Sequence, residues 1–346
     1  MRPVAYAASW RGRHDLPARL PVGTRAVGRP MAARPLRELW RRLDAPPVQC
    51  WTGPVEVVHG TNYVVPPARR AGRVVTVHDL TPVRFPELAT RDTLQYPDLV
   101  RRAVARGALV HTDSSFVAEE VRDWLGVAED RVVPVLLGLA PQQVGDPAAG
   151  RRRLFGEAGS DRRYLLAVGT VEPRKDLPGL VAAFDAIAST VDDLHLVIAG
   201  PDGWGADALD RAIAASPAAA RIHRLGWVDD AVRADLLAGA TAVAYPSRYE
   251  GFGFVPLEAM AAGVPVVCTD AGSLPEVVAD AALTVPVGDV GALADAILLL
   301  STDETRRADL VGRGRHRAAG FSWDRCAAGL VALYRRAAEE TSCTRS

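Results

Sequence analysis

Along the chain, short apolar, β-branched runs alternate with longer stretches in which Ala, Leu and Arg recur at helical spacing. In the first half the strand-like runs are 55–59, 73–78, 108–112 and 131–136. In the second half they are 164–168, 194–199, 221–225, 241–245, 264–269 and 282–285. Most are almost continuously apolar, which predicts parallel strands covered on both faces. Helical stretches such as 93–106, 116–125, 177–190 and 292–300 lie between them. This alternation predicts doubly wound α/β structure. The segment 323–340 reads as a closing helix capped by Ser322.

Between positions 139 and 161 the periodicity fades, and Pro141, Gly145, Pro147, Gly150, Gly156 and Gly159 accumulate around an Arg triplet. A boundary is expected there. It gives domains at 1–150 and 151–322, with a helix and tail at 323–346. A chain of 346 residues suits two α/β domains.

Composition narrows the function classes. Apolar residues make up 49% and charged residues 24%, and the 41 basic residues balance the 41 acidic ones. No overall field recruits nucleic acid or an anionic membrane. Arg69-Arg70 and Arg151-Arg152-Arg153 read as solvated runs. Cys50, Cys268, Cys326 and Cys343 are scattered, without a CxxC pair, so neither a disulfide framework nor a zinc site is expected. Free thiols fit a reducing cytosol. No uninterrupted apolar run of about 20 residues and no signal-peptide pattern occurs. The expectation is a cytoplasmic protein, with peripheral membrane contact left open. Lys175 is the only lysine in a chain that otherwise uses Arg, which singles out its compact ammonium.

The densest chemistry is the segment Glu250-Gly251-Phe252-Gly253-Phe254-Val255-Pro256-Leu257-Glu258, followed by Ala259-Met260-Ala261-Ala262-Gly263. A strand ends near Tyr245-Pro246-Ser247. Gly251 and Gly253 then let bare backbone approach a ligand. Pro256 suits a first helical position, and Gly263 ends the helix. A Gly-rich loop entering a helix N-terminus suits an anion. It lies at the C-terminal edge of a parallel sheet with two carboxylates, Glu250 and Glu258, beside it. Pro256 replaces the third glycine of a dinucleotide fingerprint, so that motif is excluded.

The E-x7-E spacing of Glu250 and Glu258 in this segment resembles the donor-site signature of retaining, family 4 glycosyltransferases of GT-B fold. Two other segments agree: Val168-Gly169-Thr170-Val171-Glu172-Pro173-Arg174-Lys175-Asp176, and Ala271-Gly272-Ser273-Leu274-Pro275-Glu276. The resemblance spans roughly 164–299. It implies two Rossmann-like domains facing a cleft, the N-terminal one for the acceptor and the C-terminal one for a nucleotide-sugar donor. It further implies that Arg174 and Lys175 neutralise the donor pyrophosphate, that Glu258 binds the ribose, and that Glu250 faces the transferred sugar. Gly169, Gly251, Phe252 and Gly253 would line the donor. His78, in Val77-His78-Asp79-Leu80, matches the histidine that approaches the donor sugar, which makes Glu250, His78, Lys175 and Arg174 the catalytic candidates. His59, Thr61 and Asn62 are acceptor-side candidates.

The implied reaction is hexosyl transfer, mannose ahead of other sugars, to a saccharide or lipid-linked acceptor. GDP-mannose leads UDP-sugars as donor, with no metal or other cofactor and no nucleic acid. Two alternatives stay open: another GT-B nucleotide-sugar enzyme such as an epimerase or hydrolase, and a nucleotide-sugar-binding protein without turnover. One departure stands out. The family's first strand and its Gly-rich loop have no counterpart before Trp51; Gly12, Gly23 and Gly28 are isolated, and 4–9 reads as a second strand.

Overall fold

The computed structural model describes residues 2–8, 14–29, 32–159 and 161–343, so Ser9 and Gly12 lie outside the described residues. The chain divides into two compact units. One comprises Met1–Asp113, Val117–Val135 and Ala327–Ser346; the other comprises Ser114–Phe116 and Leu136–Cys326.

In the first unit, β1 (Val4–Ala8) and β2 (Arg25–Arg29) form a two-stranded parallel sheet. The strand expected at 4–9 is β1. β2 was not foreseen, because Arg25, Gly28 and Arg29 break any apolar run. Strands β3 (Val57–Gly60), β4 (Gly72–Val77), β5 (Leu109–Thr112) and β6 (Val132–Pro134) form a separate parallel sheet in that order. Helices α1 (Ala33–Arg42), α2 (Tyr96–Ala105) and α3 (Ser115–Leu125) accompany them. Val74 and Leu109 pack with Leu333 and Ala337 of the closing helix (Trp323–Cys343), so that helix contributes to this unit's core. Ser322 caps it, accepting the Arg325 N–H at 3.2 Å.

The second unit begins at Leu136, upstream of the 150/151 division. The Pro- and Gly-rich stretch holds a helix of its own, α4 (Pro147–Phe155). Asp146 caps it by accepting the Ala148 N–H, with Pro147 at its first position. Helices α5 (Leu177–Ile187), α6 (Ala206–Ala215) and α7 (Asp230–Gly239) follow, and the Asp146 N–H donates to Asp235 Oδ1 at 2.7 Å, fastening the stretch to α7. Composition alone marked this stretch as a linker, because short capped helices carry little periodicity.

The sheet of this unit comprises β7 (Arg163–Val168), β8 (Leu194–Ala199), β9 (Ile222–Gly226), β10 (Ala242–Tyr245), β11 (Val266–Thr269) and β12 (Leu283–Val285). All pairs are parallel, in the order β12-β11-β10-β7-β8-β9. Along β7, Leu165 and Ala167 face one core with Leu180, Phe184 and Ile297, while Tyr164 and Leu166 face the opposite core with Leu236, Leu257 and Met260. Successive side chains point to opposite faces and both faces are buried, which is why the sequence shows a continuous apolar run. From β7 the chain winds outward to β8 and β9, then returns to place β10 on the other side of β7. The carboxyl ends of β7 and β10 therefore flank the point where strand order reverses, the place where open α/β sheets bind ligands.

Candidate functional site

Two loops leave that reversal point. The one after β7 carries Gly169, Arg174 and Lys175; the one after β10 carries Glu250 to Gly253. Gly169 lies under the lysine stem, its missing Cβ 3.7 Å from Lys175 Cε. Lys175 Nζ sits 2.6 Å from Glu250 Oε1, donates to the Tyr245 hydroxyl and stands 4.4 Å from the centroid of that ring. Arg174 Nη1 is 2.8 Å from Glu250 Oε1 and donates to the Tyr249 carbonyl at 2.8 Å. The Arg-Lys pair and the first glutamate of the E-x7-E spacing thus form one cluster.

Burial governs its electrostatics. Glu250 is 6% exposed. Burial alone would raise its carboxyl, but Lys175 and Arg174 outweigh it and hold the group below the ordinary carboxylate range. Lys175 is pushed down, chiefly by burial and also by the neighbouring Arg174, against the pull of Glu250. Burial also lowers the Arg174 guanidinium, yet Glu250 and the other anionic neighbours raise it overall. Burial raises the Tyr245 phenol well above its usual range, so it stays a neutral hydroxyl.

Helix α8 (Phe254–Ala261) starts two residues before Pro256, with Gly253 at φ 109° as its N-cap. That backbone conformation is one that side chains rarely adopt. The Phe252 ring turns into the core against Phe254 and Phe321, leaving only its backbone to the site. The 271–273 loop fixes Glu250 from behind. Its carbonyl accepts the Ser273 N–H at 3.0 Å and the Ser273 hydroxyl at 3.1 Å.

Glu258 projects from α8 and pairs with Arg233 of α7. Both line a cavity of about 460 Å³ with Asp230 and the 140–145 segment. Sequence reasoning missed Tyr245, Arg233 and Ser273. Tyr245 ends a strand at the reversal point, which was a legible signal; Arg233 is one arginine among many and carried none.

In the first unit, His78 follows β4. Its Nδ1 lies 2.6 Å from Asp113 Oδ2 and its Nε2 lies 2.9 Å from the Thr61 carbonyl. Tyr63, held at φ 55°, donates its hydroxyl to the Asp79 carbonyl at 3.1 Å and accepts the Asp79 N–H at 3.0 Å. His59, Thr61 and Asn62 line a cavity of about 310 Å³. The His59 ring itself is spent inside the unit, with Nδ1 2.7 Å from the Tyr334 hydroxyl and Nε2 2.7 Å from Thr76 Oγ1. Among the described residues no helix is long and apolar enough to cross a membrane.

Two parallel α/β units, the second with a cationic, carboxylate-bearing site at its reversal point, define a GT-B architecture. The solved structures agree. Sucrose-phosphate synthase from Thermosynechococcus elongatus superposes with a TM-score of 0.71 at 23% identity, over 90% of this chain and 82% of that one. WaaG, a glycosyltransferase involved in lipopolysaccharide biosynthesis, gives 0.68 at 17% identity, over 99% and 91%. A sequence profile of the glycosyl transferases group 1 matches residues 153–317. The O-antigen chain mannosyltransferase B of Escherichia coli is 33% identical over 282 residues, 81% of this chain and 74% of that protein. The D-inositol 3-phosphate glycosyltransferase of Kribbella flavida is 30% identical, over 94% of this chain and 78% of its own length. The chain belongs to the glycosyl transferases group 1 and is a glycosyltransferase.

Proposed function

We propose that this enzyme is a retaining hexosyltransferase of family 4, taking mannose from GDP-mannose ahead of a UDP-sugar and passing it to a saccharide or lipid-linked acceptor. The observation that carries the reading is the buried cluster of Lys175, Arg174 and Glu250 at the reversal point. A departing nucleoside diphosphate develops negative charge, and fixed cations aimed at it lower the barrier. Glu258 would take the ribose hydroxyls at the mouth of its cavity, and Glu250 the hydroxyls of the hexose. Thr61 and Asn62 would meet the acceptor; His59, with both ring nitrogens engaged, would support the loop from behind.

In this reading the acceptor oxygen bonds to the anomeric carbon on the face from which the diphosphate departs. The carbon–oxygen bond to phosphate breaks, and the acceptor proton passes to the leaving phosphate oxygen. Arg174 and Lys175 supply the counter-charge, so no divalent ion is required. The mannosyl preference draws on the mannosyltransferase names among its relatives.

Thermal stabilisation by GDP, UDP, ADP and dTDP, with and without Mg²⁺, tests this. A ligand at about 100 times its Kd adds about 2.7 kcal/mol. A metal-independent shift largest with GDP is expected. A shift confined to another nucleotide overturns the GDP assignment, and no shift with any of them overturns the donor site.

A further inference from the structure

Three histidines sit side by side at the β3–β5 strands of the first unit, and their hydrogen-bond partners differ in kind. The Val135 carbonyl can only accept, so His111 Nε2 carries a proton and its Nδ1 accepts from Thr76 Oγ1, at 3.1 and 2.9 Å. The Thr76 oxygen then accepts from His59 Nε2, and His59 Nδ1 accepts from the Tyr334 hydroxyl. Hydroxyl partners allow His59 and His111 to stay neutral, each with one proton, and burial favours that form. His78 differs. Its two partners, the Asp113 carboxylate and the Thr61 carbonyl, are both acceptors, so both ring nitrogens must donate.

We propose that Asp113 is the positioning residue that keeps His78 doubly protonated, so that His78 presents a fixed positive charge, and not a base, at the carboxyl end of β4. Asp113 directly follows β5 and is 3% exposed, whereas the His78 side chain is 40% exposed. The second carboxylate oxygen, Oδ1, is buried and accepts no hydrogen bond among the described residues. Its other oxygen, Oδ2, meets His78 Nδ1 at 2.6 Å.

The other groups facing the ring are consistent with a cation. Asp79 adds negative charge from the same loop. His59 and His111, lowered by burial, add no opposing charge as neutral rings, and Tyr63 is edge-on at 5.9 Å. Burial pulls His78 down, but Asp113, the Thr61 carbonyl and Asp79 raise it above the ordinary histidine value. The Tyr63 hydroxyl, bonded to the Asp79 carbonyl and N–H, holds the two loops so that the Thr61 carbonyl stays in range.

The inference rests on the reading that His78 works where the hexose is transferred, and the test separates the two. In ¹⁵N spectra of the whole enzyme at pH 7, both His78 ring nitrogens should carry protons, with the signal assigned by its loss in His78→Gln. In Asp113→Asn the titration midpoint of His78 should fall by about one pH unit or more. Transfer at pH 8 should drop about tenfold and recover toward lower pH, in kcat more than in KM. A singly protonated ring in the unsubstituted enzyme overturns the proposal even if Asp113→Asn does not fold. An unmoved midpoint in the variant overturns it as well. A shifted midpoint with transfer unchanged at every pH, and unchanged also in His78→Gln, leaves the pair intact and overturns its placement at the transfer site.

Discussion

Lys175, the only lysine of the chain, places its ammonium 2.6 Å from Glu250 Oε1, joining the loop after β7 to the loop after β10 across the reversal point. Removing either partner strands a buried charge. Glu250→Gln leaves Lys175 and Arg174 without their shared anion and should cost about 3–5 kcal/mol in denaturant unfolding. It should also lower transfer by about a hundredfold or more. Lys175→Arg should fail to rescue, because a planar guanidinium does not reproduce a compact ammonium seated on the Tyr245 ring. Wild-type transfer rates in both variants would refute the assignment.

The pH dependence of that cluster has a definite sign. The Glu250 carboxyl is held below its ordinary range in the folded protein. Its contribution is therefore complete above the ordinary carboxylate value of about 4.3 and is lost as pH falls through the lower, folded value. In Glu250→Gln this acid component should vanish, which unfolding free energies measured from pH 6 down to pH 3 would reveal.

Gly272 lies against the backbone it positions. A Cβ there would come within 2.3 Å of the Glu250 carbonyl oxygen, at a φ of +58° that side chains also resist. Gly272→Ala should displace Glu250 from the cations and lower transfer by at least the amount seen for a loss of geometry of about 1 Å, some hundredfold. A variant with full activity and unchanged melting temperature would show that the loop can yield there.

Glu258 offers a sharper ligand test. Glu258→Gln should weaken binding of the preferred nucleoside diphosphate by about 1.5–3 kcal/mol, the value of hydrogen bonds to a charged group. The 2′,3′-dideoxy analogue should bind both proteins alike. Equal weakening for the two nucleotides would place Glu258 away from the ribose, and its pairing with Arg233 would then be structural.

What could be read from sequence follows the physics of each element. Strands such as β7 and β8 announced themselves because burial on both faces demands unbroken apolar residues. Glu250 and Glu258 were legible through a spacing within one segment, and Arg174 and Lys175 through adjacency. Three features stayed hidden for different reasons. β2 is a polar strand in a two-stranded sheet. α4 is a short capped helix inside a stretch rich in Pro and Gly. The partners Asp113 and Tyr334 lie 35 and 275 residues from the histidines they bond, and only tertiary structure brings such pairs together.

The buried relay from Tyr334 through His59 and Thr76 to His111 should make the first unit acid-labile. Burial, and then the neighbouring histidines, push His59 down to about 4, and burial lowers His111. Between that value and the ordinary one of about 6.5, the unfolded chain binds more protons than the folded one, so stability falls as pH drops through this window. For His59 the loss should approach about 3 kcal/mol at pH 4. Tyr334→Phe removes the donor to His59 Nδ1, leaving a buried acceptor unmet at a cost of about 1–3 kcal/mol at pH 7. That deficit should persist or grow toward pH 4, where the protonated Nδ1–H needs the hydroxyl oxygen as its acceptor. Stability equal to that of the unsubstituted protein from pH 7 to pH 4 would show that His59 does not depend on this hydroxyl.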